Sequence, residues 1–263
     1  MKNNKSLGQH WLQNRSILEE IASLAAQDID DDTVCLEIGP GLGTLTSSLL
    51  KRFAKVVAVE FDERLAQNLP QSFPGKNLEV VHADILSIDI PRIMKTRNYV
   101  VVGNIPYYIT SPIIRRMLEL TPAPRQIVLL MQKEVAERVA ADAGDHSVLS
   151  LLTQNRAEVE LGPVVKAAEF TPPPKVDSQV LTLRPLSTPQ IDDTVFSIIT
   201  QGFSNPRKKL SANLANNQHS KTEWEEILQH ESINPNARAE DLSLWDWETL
   251  YQQNNSKKTL AKK

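Results

Sequence analysis

Apolar and polar positions along this chain follow two different rhythms. In residues 14–27, Ile17, Leu18, Ile21, Leu24 and Ala25 recur at helical spacing, which predicts an amphipathic helix. An acidic turn over 28–33 leads to a short apolar run, 34–38, that stops at Gly39 and reads as a buried strand. Residues 44–53 read as a helix and 55–60 as a second strand closed by Glu60, with Asp62 placed to cap the next helix. A third strand over 78–82 runs into Ala83-Asp84, a fourth over 99–103 into Asn104, and a fifth covers 126–131. Ser111-Pro112 predicts a helix start, with Ser as the cap and Pro in the first helical position. Residues 133–141 and 148–154 read as helical. Strand alternating with helix argues for a parallel, doubly wound sheet. The pattern then changes. Residues 157–165 and 178–183 read as strands around a Pro-rich loop, which suggests an antiparallel hairpin at the sheet edge. Residues 185–189 suit a linker, and beyond 194 the chain reads as helices only, including 222–230 and 243–252. The expected division is a sheet domain over 1–186, a helical domain over 187–255, and a basic, frayed tail over 256–263.

Composition narrows the classes. With 263 residues, 41% hydrophobic and 23% charged, the chain suits a soluble globular protein with one large and one small domain. No apolar run has membrane-spanning length, and Met1-Lys2-Asn3-Asn4-Lys5 leads into polar sequence, unlike a secretory signal. Cys35 is the single cysteine, which excludes an internal disulfide and fits a reducing cytoplasm. Its apolar surroundings suit a small buried hydrophobe better than a nucleophile. The net charge of −3 means that any polyanion must bind to a local patch.

Chemistry concentrates where the strands end. Asn104-Ile105-Pro106-Tyr107 follows the run Tyr99-Val100-Val101-Val102-Gly103. Asn104 supplies an amide oxygen, the Ile105 backbone carbonyl a second acceptor, Pro106 a stiff turn without an N–H, and Tyr107 a flat ring. Two acceptors and a stacking ring suit a planar group with an exocyclic NH2, as on a flipped base. The plainer alternative is a turn whose Tyr packs on the core. Glu37-Ile38-Gly39-Pro40-Gly41-Leu42-Gly43 joins the first strand to its helix. Its spacing is G-x-G-x-G, not the dinucleotide G-x-G-x-x-G, and Glu37 would repel a pyrophosphate. A carboxylate there suits a ligand bearing an ammonium, such as the amino-acid part of S-adenosylmethionine; an ordinary strand–helix turn is the alternative. Glu60 is placed to take ribose hydroxyls, and Asp84 to accept from an adenine amine. Each acid alone reads more readily as a cap or a solvated charge. Three acids and Asn104, all at strand C-termini on the rim where such sheets bind ligands, point to a site.

Together these residues resemble the bacterial small-subunit ribosomal RNA adenine dimethyltransferases, over nearly the whole chain. Leu7-Gly8-Gln9-His10-Trp11-Leu12 is similar to the family's F-G-Q-N/H-F-L opening, residues 37–43 to its cofactor loop, and Asn104-Ile105-Pro106-Tyr107 to its N-[LI]-P-Y motif. Met131-Gln132-Lys133-Glu134-Val135 resembles its L-Q-K-E-V segment, and Phe170-Thr171-Pro172-Pro173-Pro174-Lys175-Val176-Asp177-Ser178 its most specific signature. Arg207-Lys208-Lys209-Leu210 and Arg238-Ala239-Glu240 resemble parts of its helical C-terminal domain. The departures are Trp11 for Phe, His10 where Asn is frequent, and His146-Ser147 for Y-G.

The resemblance implies an α/β, Rossmann-like S-adenosylmethionine-dependent methyltransferase fold: a mostly parallel seven-stranded sheet with an antiparallel edge, plus a small all-helical C-terminal domain for RNA recognition. It implies dimethylation at N6 of two adjacent adenosines in a hairpin loop near the 3′ end of 16S rRNA. The expected partner is the immature small ribosomal subunit; the protein is expected to be a cytoplasmic monomer that uses no metal and no membrane. His10, Leu12, Glu37, Gly39, Gly41, Glu60, Asp84 and Asn104 would hold S-adenosylmethionine. Asn104, Ile105, Pro106 and Tyr107 would hold the target amine and base, with Phe170 stacking on the same base; for Phe170 the alternative is a plug over the core. Lys133, Lys175, Arg207, Lys208 and Lys209 are the favoured phosphate contacts, although singly each reads as a surface charge. Three alternatives remain: a large-subunit rRNA methyltransferase of the antibiotic-resistance type, a DNA adenine methyltransferase, and a ribosome-assembly factor with secondary catalysis.

Overall fold

The computed structural model describes residues 10–216 and 219–260. Leu7, Gly8 and Gln9 of the opening motif and 261–263 of the tail lie outside them. The elements in sequence order are β1 (Trp11–Leu12), α1 (Arg15–Ala25), β2 (Val34–Ile38), α2 (Thr44–Leu49), β3 (Lys55–Glu60), α3 (Glu63–Asn68), β4 (Leu78–His82), α4 (Ile90–Met94), β5 (Tyr99–Asn104), α5 (Thr110–Leu118), β6 (Ile127–Gln132), α6 (Lys133–Val139), α7 (Val148–Arg156), β7 (Ala157–Val165), β8 (Phe170–Thr171), β9 (Ser178–Pro185), α8 (Phe196–Gly202), α9 (Leu210–Leu214), α10 (Lys221–His230) and α11 (Leu244–Leu260). They form two compact units, Met1–Glu137 with Glu158–Pro185, and Arg138–Ala157 with Leu186–Lys263.

The first unit is built on a seven-stranded sheet in the order β4-β3-β2-β5-β6-β9-β7. β4 through β6 are mutually parallel, and β9 runs antiparallel to β6. β2, β5 and β6 are buried along almost their whole length, which is why they read as continuous apolar runs rather than alternating ones. From β2 the polypeptide winds outward to β3 and β4, then returns to place β5 on the other side of β2. That reversal opens a crevice at the carboxyl ends of β2 and β5, where open α/β sheets bind ligands. β1 and β8 form a separate two-stranded piece with Trp11 opposite Thr171 and Leu12 opposite Phe170.

Caps set several boundaries. Asn14 precedes α1, and its Oδ1 accepts from the N–H groups of Ser16 at 3.0 Å and Ile17 at 3.3 Å. Asp62 caps α3 in the same way, as the sequence predicts. Ser111 does not cap α5. A single turn of 3-10 helix, Tyr107–Ile109, runs directly into Thr110, so Ser111 and Pro112 fall inside the first helical turn. The Thr110 hydroxyl donating to Tyr107 O at 3.2 Å ties the two turns together. α1 and α2 pack on one face of the sheet through Leu18, Ile21, Leu45 and Leu49, against Cys35, Val56, Val100 and Val128. Burial pushes the Cys35 thiol up, consistent with a core role.

The second unit has its own core, in which Leu151 joins Ile198, Leu210, Trp224, Leu228 and Trp247. A split after residue 186 is what the sequence pattern suggests, whereas residues 138–157 group with the helical unit. Asn155, fully buried, explains this: its Oδ1 accepts from Ile191 N at 2.8 Å and its Nδ2 donates to Ile191 O at 3.2 Å. α11 extends to Leu260, past the 252 expected from the pattern and into the residues read as tail.

Candidate active site

A cavity of ≈ 330 Å³ lies at the carboxyl ends of β2, β3 and β5. His10, Leu12, Glu37, Gly39, Gly41, Glu60, Asp84, Asn104, Ile105, Pro106 and Tyr107 all line it, so one volume collects expected cofactor residues and most of the expected acceptor residues. Phe170 is not among the lining residues. It is 3% exposed and sits in the main core, opposite Leu12.

Glu37 is 1% exposed. Its Oε2 accepts from the Thr46 hydroxyl at 2.7 Å, while Oε1 is buried with no hydrogen-bond partner. Burial pushes its carboxyl up to about 8, with the nearby Glu60 adding to the rise. A buried carboxylate with one free oxygen on a cavity wall fits a cationic donor such as an ammonium. Glu60 is satisfied by its own surroundings: Oε2 accepts from Gly41 N at 3.0 Å and Oε1 from Asp62 N at 2.8 Å. Burial raises its pKa, opposed by those backbone donors. Asp84 is exposed on the cavity lining, and its Oδ1 accepts from Leu86 N at 2.9 Å. Gly41 has φ +58, and a Cβ there would come within 3.2 Å of Trp11 Nε1, so only glycine lets the loop pass under β1.

The acceptor side is assembled from distant segments. Asn104 Nδ2 donates to His10 O at 3.0 Å, which commits the amide nitrogen and keeps Oδ1 as the acceptor end. Tyr107 is pinned by its hydroxyl to Ser178 Oγ at 2.8 Å, and burial raises its pKa. One face of its ring is taken by the His10 imidazole, with centroids 5.9 Å apart and planes at 19°. His10 Nδ1 in turn pairs with Pro172 O at 2.7 Å. The structure therefore puts His10 on the acceptor group as well as on the cavity wall.

The expected RNA-contact residues lie outside the cavity. In the first unit Lys175 is exposed, and Lys133 is paired with Glu137 at 3.3 Å. In the second unit Arg207 and Lys208 are exposed before α9, and Lys209 donates to Asn236 Oδ1 at 2.5 Å. The sequence reading missed Thr46, which holds Glu37, and two exposed rings on the cavity rim, Phe61 and Tyr108. Their adjacency to Glu60 and Tyr107 at strand ends is the signal that would have found them. Among the described residues no group of three or more His, Cys, Asp or Glu could hold a metal ion, and no helix is long and apolar enough to cross a membrane.

Similar proteins are known. Ribosomal RNA small subunit methyltransferase A of Bacillus pumilus (strain SAFR-032) is 38% identical, covering 94% of this chain and 89% of its own length. The protein of the same name from Dehalococcoides mccartyi (strain CBDB1) is 37% identical, covering 95% and 88%. Among solved structures, a dimethyladenosine transferase from Plasmodium falciparum superposes with a TM-score of 0.79 at 28% identity, over 94% of this chain and 98% of that one. The 23S rRNA methyltransferase ErmE superposes with a TM-score of 0.74 at 30% identity, over 93% and 99%. The fold is that of S-adenosylmethionine-dependent rRNA methyltransferases. A family model for ribosomal RNA adenine dimethylases matches residues 1–255, and the chain belongs to that family.

Proposed function

We propose that this protein transfers methyl groups from S-adenosylmethionine to N6 of two adjacent adenosines in the hairpin loop near the 3′ end of small-subunit rRNA. It acts as a cytoplasmic monomer on immature small subunits. The observation that carries this reading is Asn104. Its amide nitrogen is tied to His10 O, which commits Nδ2 as donor and reserves Oδ1 as an acceptor, and the residue lines the cavity together with Tyr107.

The target base stacks on the face of Tyr107 that His10 leaves open. Asn104 Oδ1 and the Ile105 backbone carbonyl each accept an N–H of the base amine. This draws the N6 lone pair out of conjugation with the ring and aims it along the transfer direction. Pro106 keeps the turn stiff. Orientation of this kind can supply roughly 7–11 kcal/mol. No strong base is needed, since the neutral amine is the nucleophile and its proton leaves late. Glu37, Glu60, Asp84, Gly39, Gly41 and Leu12 hold S-adenosylmethionine, which supplies the electrophilic methyl. Lys133, Lys175, Arg207, Lys208 and Lys209 take phosphates.

The small-subunit substrate is favoured over the large-subunit one by the curated relatives at 37–38% identity. The test is tritiated methyl transfer to small subunits lacking the modification. Wild type should yield N6,N6-dimethyladenosine, and Asn104→Ala should lose ~100- to 1000-fold in rate, the scale for removing one transition-state hydrogen bond. Label in large-subunit RNA instead would move the reading to the resistance type. Binding to immature subunits without label would favour an assembly factor.

A further inference from the structure

Among the described residues, three Phe, Tyr or Trp side chains are exposed: Phe61, Tyr108 and Trp245. Two of them, Phe61 and Tyr108, stand on the rim of the cavity. Phe61 follows Glu60 at the end of β3, and its carbonyl meets His82 Nε2 at 3.2 Å, so it belongs to the wall that holds the cofactor. Tyr108 follows Tyr107 at the end of β5, on the acceptor wall, and is 63% exposed. The backbone on either side of it is held. Ile109 N donates to Pro106 O at 3.2 Å and the Thr110 hydroxyl to Tyr107 O at 3.2 Å, so the exposed ring stands on a stiff turn.

Other aromatic surface on this wall is already used. Phe170 is in the core, and Tyr107 is fixed at its hydroxyl and covered by His10 on one face. Consecutive residues of a 3-10 turn point about 120° apart, because the turn has about three residues. Tyr107 and Tyr108 therefore cannot face the same base. An RNA strand that inserts one base against Tyr107 must carry its neighbouring nucleotide past the rim, where Tyr108 stands.

Building on the RNA methyl-transfer reading, we propose that Tyr108 is a stacking platform for the nucleotide adjacent to the inserted one, and so a specificity-determining residue for single-stranded or looped RNA. Stacking is sequence-tolerant and needs only a π-face, so the phenol oxygen is dispensable while the ring is not.

The experiment compares wild type with Tyr108→Ala, Tyr108→Leu and Tyr108→Phe, using small ribosomal subunits lacking the modification. It reads filter-retention binding of those particles, KM and kcat for methyl transfer, and S-adenosylmethionine affinity by calorimetry. Removing one base–aromatic stack should weaken particle binding and raise KM roughly five- to hundredfold in the Ala and Leu variants. Phe should restore both, with kcat within about twofold and cofactor affinity unchanged in all three. Unchanged KM in Tyr108→Ala, or Leu performing as well as Phe, would overturn the platform. A shift in cofactor affinity instead would place Tyr108 on the other ligand and also overturn it. Either result leaves the methyl-transfer reading standing, because wild type remains active and Asn104→Ala, run beside it, remains ~100- to 1000-fold slower. A wild type that transfers no methyl removes both.

Discussion

The two walls of the cavity are built by different means. On the β2–β3 wall the acids are held by partners from the same two adjoining strand–loop segments, the farthest 19 residues away in sequence: Glu37 by Thr46, and Glu60 by Gly41 and Asp62. On the β5 wall, Asn104 is set by His10, Tyr107 by Ser178, and His10 by Pro172. Those partners come from the far ends of the first unit's sequence. A locally made wall holds its shape whenever its own loop is folded. A wall tied by remote segments can change without disturbing the other. Substitutions on the two sides should therefore have separable effects.

The largest stability effect is expected from Gly43→Ala on the local wall. Gly43 has φ +81, and a Cβ would lie 2.7 Å from Leu69 Cδ1 and 2.8 Å from Phe73 Cε2. Left-handed strain and overpacking together should cost ~2–5 kcal/mol, read as a lower urea midpoint together with weakened cofactor binding. Cofactor affinity that survived this change would mean that the glycine loop is not part of the binding wall.

Next in size is a pH effect at Glu37. Burial raises its carboxyl to about 8 in the folded protein, against 4.5 for the free group. Between those values the folded, cofactor-free protein keeps a proton that the unfolded polypeptide has released, so stability falls as pH rises through that window. Glu60, shifted in the same direction, contributes in the same sense. Glu37→Gln should flatten the melting temperature between pH 5 and 8. A cation seated on Glu37 favours the ionised form, so cofactor binding should release a proton and tighten as pH rises toward 8. Calorimetry in buffers of different ionisation enthalpy reads that proton, and the Gln variant should lose it.

The smallest effect belongs to the remote wall. Ser178→Ala removes one hydrogen bond from the Tyr107 hydroxyl, worth ~1 kcal/mol. The methyl-transfer rate should fall by about fivefold while cofactor affinity holds. Equal loss in both would erase the distinction between the walls.

The same contrast explains what could be read from residues alone. Glu37, Glu60, Asp84 and Asn104 sit at the ends of strands whose apolar runs mark them, so their convergence follows from the parallel sheet. Phe170 could not be placed this way. Whether it faces a base or the core depends on its pairing with Leu12, a contact across the whole unit. The attachment of α7 to the helical unit was hidden for a similar reason. Asn155 looks like one more polar helix residue until Ile191 closes on it. Tyr108 and Phe61 carried no pattern of their own, because exposure of a ring is a property of the finished surface.

The position of β9 bears on how the protein is made. It is the last strand of the first unit to leave the ribosome, yet it lies inside the sheet, between β6 and β7. Until residues 178–185 emerge, β6 keeps an open edge and β7 waits without its neighbour, the kind of unpaired strand that invites wrong partners. β1 waits in the same way for β8. A nascent polypeptide thus carries an unfinished sheet and an untied acceptor wall through most of its synthesis, and one stopped before 178 would be sticky as well as inactive.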